Sequence, residues 1–128
     1  KTLADSLTEI FRKALNNEKL DVKVEKLKNL DVSSMVTLSE ENRRMQDMMK
    51  MYNMYGMDQS MFGGSETSVL NANHTLVKYI LENRESEYVP MMCEQLYDLA
   101  MISHKPLQPE AMNKFIKRSN EIMLLLAK

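Results

Sequence analysis

Apolar and polar positions repeat with two different periods along this chain, and the changes of period mark its elements. Leu3, Leu7, Ile10, Phe11 and Ala14 recur at helical spacing and stop near "NNE", which predicts an amphipathic helix over 2–16. In "LDVKVEKL" Leu20, Val22 and Val24 alternate with charged residues, and in "VSSMVTLS" Val32, Ser34, Val36 and Leu38 fall on one face. A period of two over such short runs predicts two half-buried strands, with "KNLD" as their hairpin connection. Val22, Val24, Val36 and Leu38 are then expected to face the first helix. Ser39 is placed to cap the next helix, with Glu40 and Glu41 in a first turn where the helix dipole favours negative charge. That helix should end near Gly56, and "GMDQSMFGGSE", with Gly63 and Gly64 adjacent, predicts a loop.

A third short strand, "TSVLN", follows. Asn73 is the expected cap of a helix through "HTLVKYILEN", and "YVPMMCEQLYDLAMIS" and "PEAMNKFIKRSNEIMLLLA" predict two longer helices. Strands grouped early and helices late give an α+β class with a small three-stranded sheet flanked by helices. A length of 128 residues suits one domain. Within it, 1–87 form the α/β part, with a helix near 40–55, and 88–128 form a helix pair.

Residues 43–62 hold seven of the chain's 13 methionines. At 100° per residue Met45, Met48, Met49, Tyr52 and Tyr55 share a stripe flanked by Met51, opposite Arg43, Gln46, Asp47, Lys50 and Asn53. One reading packs this stripe on the domain's own sheet. Against it, the stripe lacks the leucine, isoleucine and valine that ordinary cores prefer. Methionine is flexible and polarizable, and it suits a surface that accepts many apolar partners. Met45, Met48, Met49, Met51 and Tyr52 are the candidate contact residues on this second reading. Thioether sulfurs also select monovalent copper, but Cys93, His74 and His104 lie far away in sequence.

The last two helices carry more apolar surface than one contact buries. In the first of them Met92, Cys93, Leu96, Leu99, Ala100 and Ser103 make one face, while Met101 and Ile102 lie outside it. In the second, the stripe of Met112, Phe115, Ile116, Ser119, Ile122, Met123 and Leu126 runs into "IMLLLA", apolar nearly all round. Patches of this kind mark interfaces. The expectation is a homodimer in which two helices from each subunit form a four-helix bundle. Leu96, Leu99 and Ile102 are its candidate residues on one helix. Phe115, Ser119, Ile122, Met123, Leu125 and Leu126 are those on the other.

Charge and chemistry narrow the alternatives. With 17 basic and 18 acidic residues the formal net charge is −1, so no strong field draws the chain to nucleic acid or anionic lipid. No apolar run approaches the ~20 residues of a membrane span. The lone Cys93 cannot form an internal disulfide, and thirteen oxidisable methionines suit a reducing compartment, so cytoplasm is expected. Opening on Lys1, the chain reads as a fragment of something longer. Cys93 beside Met92 and Leu96 reads as a buried hydrophobe, His74 as a first-turn residue and His104 as a helix-end cation. No phosphate loop, metal-ligand spacing or nucleophile motif is present, so no enzyme activity is expected.

Several of these residues resemble a known family. "NANHTLVKYI" is similar to a strand-to-helix segment in the carboxy-terminal domain of the ninety-kilodalton heat-shock chaperones. "EQLYDLA", followed by "LQPEAMNKFIKRSNEIM", resembles the closing helix pair of the bacterial high-temperature protein G (HtpG) type, through Leu107, Pro109, Phe115, Arg118 and Asn120. The resemblance spans essentially the whole chain. It implies a dimerisation domain whose exposed amphipathic helix contacts unfolded client proteins. It also implies an ATPase, with ATP and magnesium, in an amino-terminal domain whose elements are absent here, so no cofactor is expected in this fragment. Ala72 departs from the proline frequent in the family. The ending "LLLAK" lacks the acidic tail that recruits tetratricopeptide co-chaperones. A rival from another class is a methionine-rich signal-sequence-binding module like that of the signal recognition particle. It predicts RNA binding, which the near-neutral charge disfavours.

Overall fold

The computed structural model describes residues 2–38, 48 and 66–128. Helix α1 (Leu3–Leu15) starts where Thr2 Oγ1 accepts a hydrogen bond from the Asp5 N–H at 3.1 Å, satisfying one of the orphan donors of a helix start. It ends at Asn16, whose left-handed backbone (φ 52°) lets Asn16 and Asn17 close the last turn on the carbonyls of Lys13 and Arg12. Leu7, Ile10 and Phe11 form its buried face.

Strands β1 (Asp21–Glu25), β2 (Ser34–Leu38) and β3 (Glu66–Asn71) make one mixed sheet in the order β1-β3-β2. β1 runs parallel to β3 and β2 antiparallel to it. The expected hairpin between β1 and β2 is therefore wrong. The late strand inserts between the two early ones, because Thr67, Ser68, Val69 and Leu70 are consecutively buried and need cover from both edges and both faces. Residues 26–33 instead cross over the end of β3, where the fully buried Asn71 pins them. Its Oδ1 accepts from the N–H groups of Leu27 and Asn73, both at 3.0 Å. Its Nδ2 donates to the carbonyls of Val32 (2.8 Å) and Asn29 (3.3 Å).

Helix α2 (Thr75–Glu82) is capped by His74, whose Nδ1 accepts from the Leu76 N–H at 3.1 Å, and not by Asn73. Asn73 is drawn away because its side chain donates to the Leu27 carbonyl in the same crossover. Helix α3 (Val89–His104) takes its proline at the second position, where no intrahelical donor is lost. It lays Val89, Cys93, Leu96 and Ala100 onto the core. That core gathers Leu7, Phe11, Leu20, Leu70, Val77 and Ile80 around α3, with Val22 and Val24 packed at its margin. α1 covers β1, but β2 lies against α3, and the Ser34 hydroxyl donates to the Leu96 carbonyl at 2.9 Å. Val36 and Leu38 share the face of Ser34, so they face α3 and not the first helix as expected. Helix α4 (Pro109–Leu126) follows a short linker and packs on α3. Among the described residues, four helices and a mixed sheet make a small α+β fold. Among the described residues no helix is long and apolar enough to cross a membrane.

Candidate functional site

α4 differs from the other described helices in one respect: it has no fully buried residue. Its inner line, Phe115, Ile122 and Leu125, is half-buried. Next to it, Ile116 is 51 % and Met123 56 % exposed, and Leu126 at the end is 82 % exposed. Leu124, outside the expected contact set together with Ile116, is also largely exposed. On α3, Leu99 is exposed and Ile102 half-buried, so both retain surface for a partner. Leu96 does not. It is buried in the domain's own core beside Cys93 and Leu70, and it is withdrawn from the candidate interface.

The seam between α3 and α4 is polar at its centre. The Arg118 side chain is 11 % exposed and lies over one turn of α3. Its Nε is 3.3 Å from Glu94 Oε2, and its Nη1 donates to Asp98 Oδ2 (2.9 Å) and Gln95 Oε1 (3.2 Å). Gln95 Nε2 donates in turn to Ser119 Oγ at 3.1 Å, and the Ser119 hydroxyl donates to the Phe115 carbonyl. Half-buried Ser119, an expected dimer contact, thus already has partners within its own chain. The pattern of apolar positions passed over this cluster. Its only sign in the sequence is a cation, Arg118, set between Phe115 and Ile122 on the inward side of α4.

A cleft of about 430 Å³ opens between the end of α1 and the start of this seam, lined among others by Asn16, Tyr97, Asp98, Lys114 and Arg118. Its charges pair internally, Arg118 with Glu94 and Asp98, and Lys114 with Glu110 at 3.9 Å. Tyr97 is held above its usual phenol range by burial, then by the carboxylates of Glu66 and Asp98. Burial, with Glu94 adding, pushes the Cys93 thiol up to about 12, so it stays protonated and is no nucleophile near neutral pH. His104 is exposed at the end of α3. Among the described residues no three His, Cys, Asp or Glu side chains gather as metal ligands.

Of the candidate client-contact residues, Met48 is helical and 57 % exposed. Met45, Met49, Met51 and Tyr52 lie outside the described residues, as do the Ser39 cap and the loop after Gly56. Comparison with known proteins yields no matching family model and no matching curated protein.

Proposed function

We propose that this chain is a homodimerisation and client-contacting domain of a chaperone of the ninety-kilodalton heat-shock type, acting in the cytoplasm. The observation that carries this reading is α4, an 18-residue helix with no fully buried residue and with Ile116, Met123, Leu124 and Leu126 open to solvent. A solvated surface of this composition costs free energy in proportion to its apolar area, and a second copy of the same surface removes it from water. A net charge of only −1 leaves little long-range repulsion between two copies. Leu99 on α3 is exposed as well, so both helices of the pair hold apolar surface for the proposed four-helix bundle.

The client surface is the methionine-rich segment around Met48. Met48 is helical and exposed, as an adaptable apolar contact must be, and its unbranched thioether repacks against unrelated segments. Two copies brought together by α4 add avidity to individually weak contacts. ATP hydrolysis and nucleic-acid binding do not belong to this reading.

Suppression of a client's thermal aggregation tests it. The chain should protect a heat-labile enzyme at stoichiometric concentration, and a Met48→Gln, Met49→Gln variant that remains folded and dimeric should protect less. Mild peroxide should also weaken protection, because sulfoxide makes the contact side chains polar; a Met123→Leu background keeps the proposed dimer contact out of that test. Equal protection by both proteins would remove the methionines from the function.

A further inference from the structure

α4 presents two neighbouring apolar lines that differ by a single residue step. Phe115 and Ile122 face α3, while Ile116 and Met123 face solvent. A rotation of about 100°, one residue of an α-helix, would bring Ile116 and Met123 onto α3 and turn Phe115 and Ile122 outward. Aliphatic packing is non-directional, and the two lines are close in size, so hydrophobic burial alone hardly separates the two settings. Arg118 does separate them. Its planar fork meets three acceptors from one turn of α3, Glu94, Gln95 and Asp98, at 2.9 to 3.3 Å, and the guanidinium is nearly closed off from water. In the rotated setting the guanidinium would leave that notch and strand Asp98, whose side chain is only 16 % exposed. A buried polar group left without its partner is penalised far more than a paired one is rewarded.

We infer that Arg118 is the positioning residue of the association surface: it locks the rotation of α4 on α3 so that the Ile116 and Met123 line is the one offered to the second subunit. This rests on the homodimer proposed above. The Gln95 to Ser119 bond at 3.1 Å extends the lock by one residue and gives it direction, since Gln95 accepts from Arg118 on one side and donates to Ser119 on the other. The role is selective more than stabilising, because an ion cluster of this kind fixes geometry while its desolvation offsets much of its attraction. The dimer should therefore respond to Arg118 more strongly than the fold does.

The test measures the dimer dissociation constant by sedimentation, and the stability and helix content of each variant by circular dichroism. The Arg118→Met variant keeps the apolar stem and loses the fork. It should keep the helix content of the parent and weaken the dimer at least tenfold. Arg118→Lys, which retains one charged donor for Asp98, should recover part of that loss, a graded rescue that bulk alone does not produce. If Arg118→Met loses helix content, Asp98→Asn takes its place, and it should weaken the dimer at least threefold in a folded protein. A folded Arg118→Met variant, or in its place Asp98→Asn, that dimerises as tightly as the parent overturns the inference and leaves the dimer standing. A parent chain that is itself monomeric overturns the dimer proposal instead.

Discussion

Replacing Asn71 by leucine keeps the branched outline of the side chain, adds some bulk, and removes every polar bond it makes. Asn71 is fully buried at the end of β3 and satisfies all four of its amide positions, accepting from Leu27 and Asn73 and donating to Val32 and Asn29. The Asn29 carbonyl keeps a second partner in the Val32 N–H, so the substitution orphans three backbone groups: the N–H groups of Leu27 and Asn73 and the carbonyl of Val32. These are partly buried, and each costs about 1 to 1.5 kcal/mol at the lower end of the range for a lost partner. The total is about 3 to 4.5 kcal/mol, a large share of the ~5 to 15 kcal/mol that holds a domain of this size. Urea denaturation of the parent and the Asn71→Leu variant measures the difference. Asn71→Asp sharpens the test, because it sets a carboxylate oxygen against two carbonyls and so disfavours its own charged form in the fold. A proton then binds the folded state more tightly than the unfolded one, and this variant should gain stability relative to the parent as pH falls from about 7 toward 4. A loss below about 1 kcal/mol for Asn71→Leu would refute the idea that Asn71 holds the crossover.

Core and surface should separate cleanly in the same assay: Val24→Ala, at the margin of the core, should cost about 1 to 3 kcal/mol, and Met48→Gln, exposed, less than about 1 kcal/mol. A cooperative loss of stability from Met48→Gln would return that residue to the core. Burial holds the Cys93 thiol at about 12 against an ordinary 9.0, so the folded state keeps a proton that the unfolded state releases. Stability should therefore be independent of this group below pH 9 and fall above it, by up to about 1.4 kcal/mol per pH unit. Cys93→Ala should lose that part of the alkaline slope, and an unchanged slope would show that the thiol is not protected.

Much of the architecture was legible in the sequence because its periods are clean. The faces of α1 and α3 follow from Leu7, Ile10 and Phe11 and from Cys93, Leu96 and Ala100, all of which are buried. Strand order was not legible. Alternation tells which face of a strand is buried, and it carries no signal for which strand is the neighbour, so "KNLD" looked like a hairpin although β3 lies between. The choice of helix cap between Asn73 and His74 turned on a long-range contact to Leu27 that no local pattern contains. The candidate surface was half legible for the same reason. Excess apolar residues on α4 were visible, whereas Leu96 reads identically whether its contacts lie in its own core or in a partner. Arg118 interrupts an apolar stripe, and only the position of α3 shows that it ends against Glu94, Gln95 and Asp98.

Sedimentation equilibrium of the whole chain tests the central claim most directly, because the exposed apolar line of α4 is the observation on which the proposed function stands. At tens of micromolar the chain should sediment at twice its 14.9 kDa, with an interface of about 1,200 to 2,000 Å² that an apolar patch of this length can supply. Deleting residues 122–128, which removes Ile122, Met123 and the exposed leucines, should return it to a monomer that keeps α1, the sheet and α3. A mass of 14.9 kDa at every concentration, or a deletion variant that still dimerises, contradicts the account.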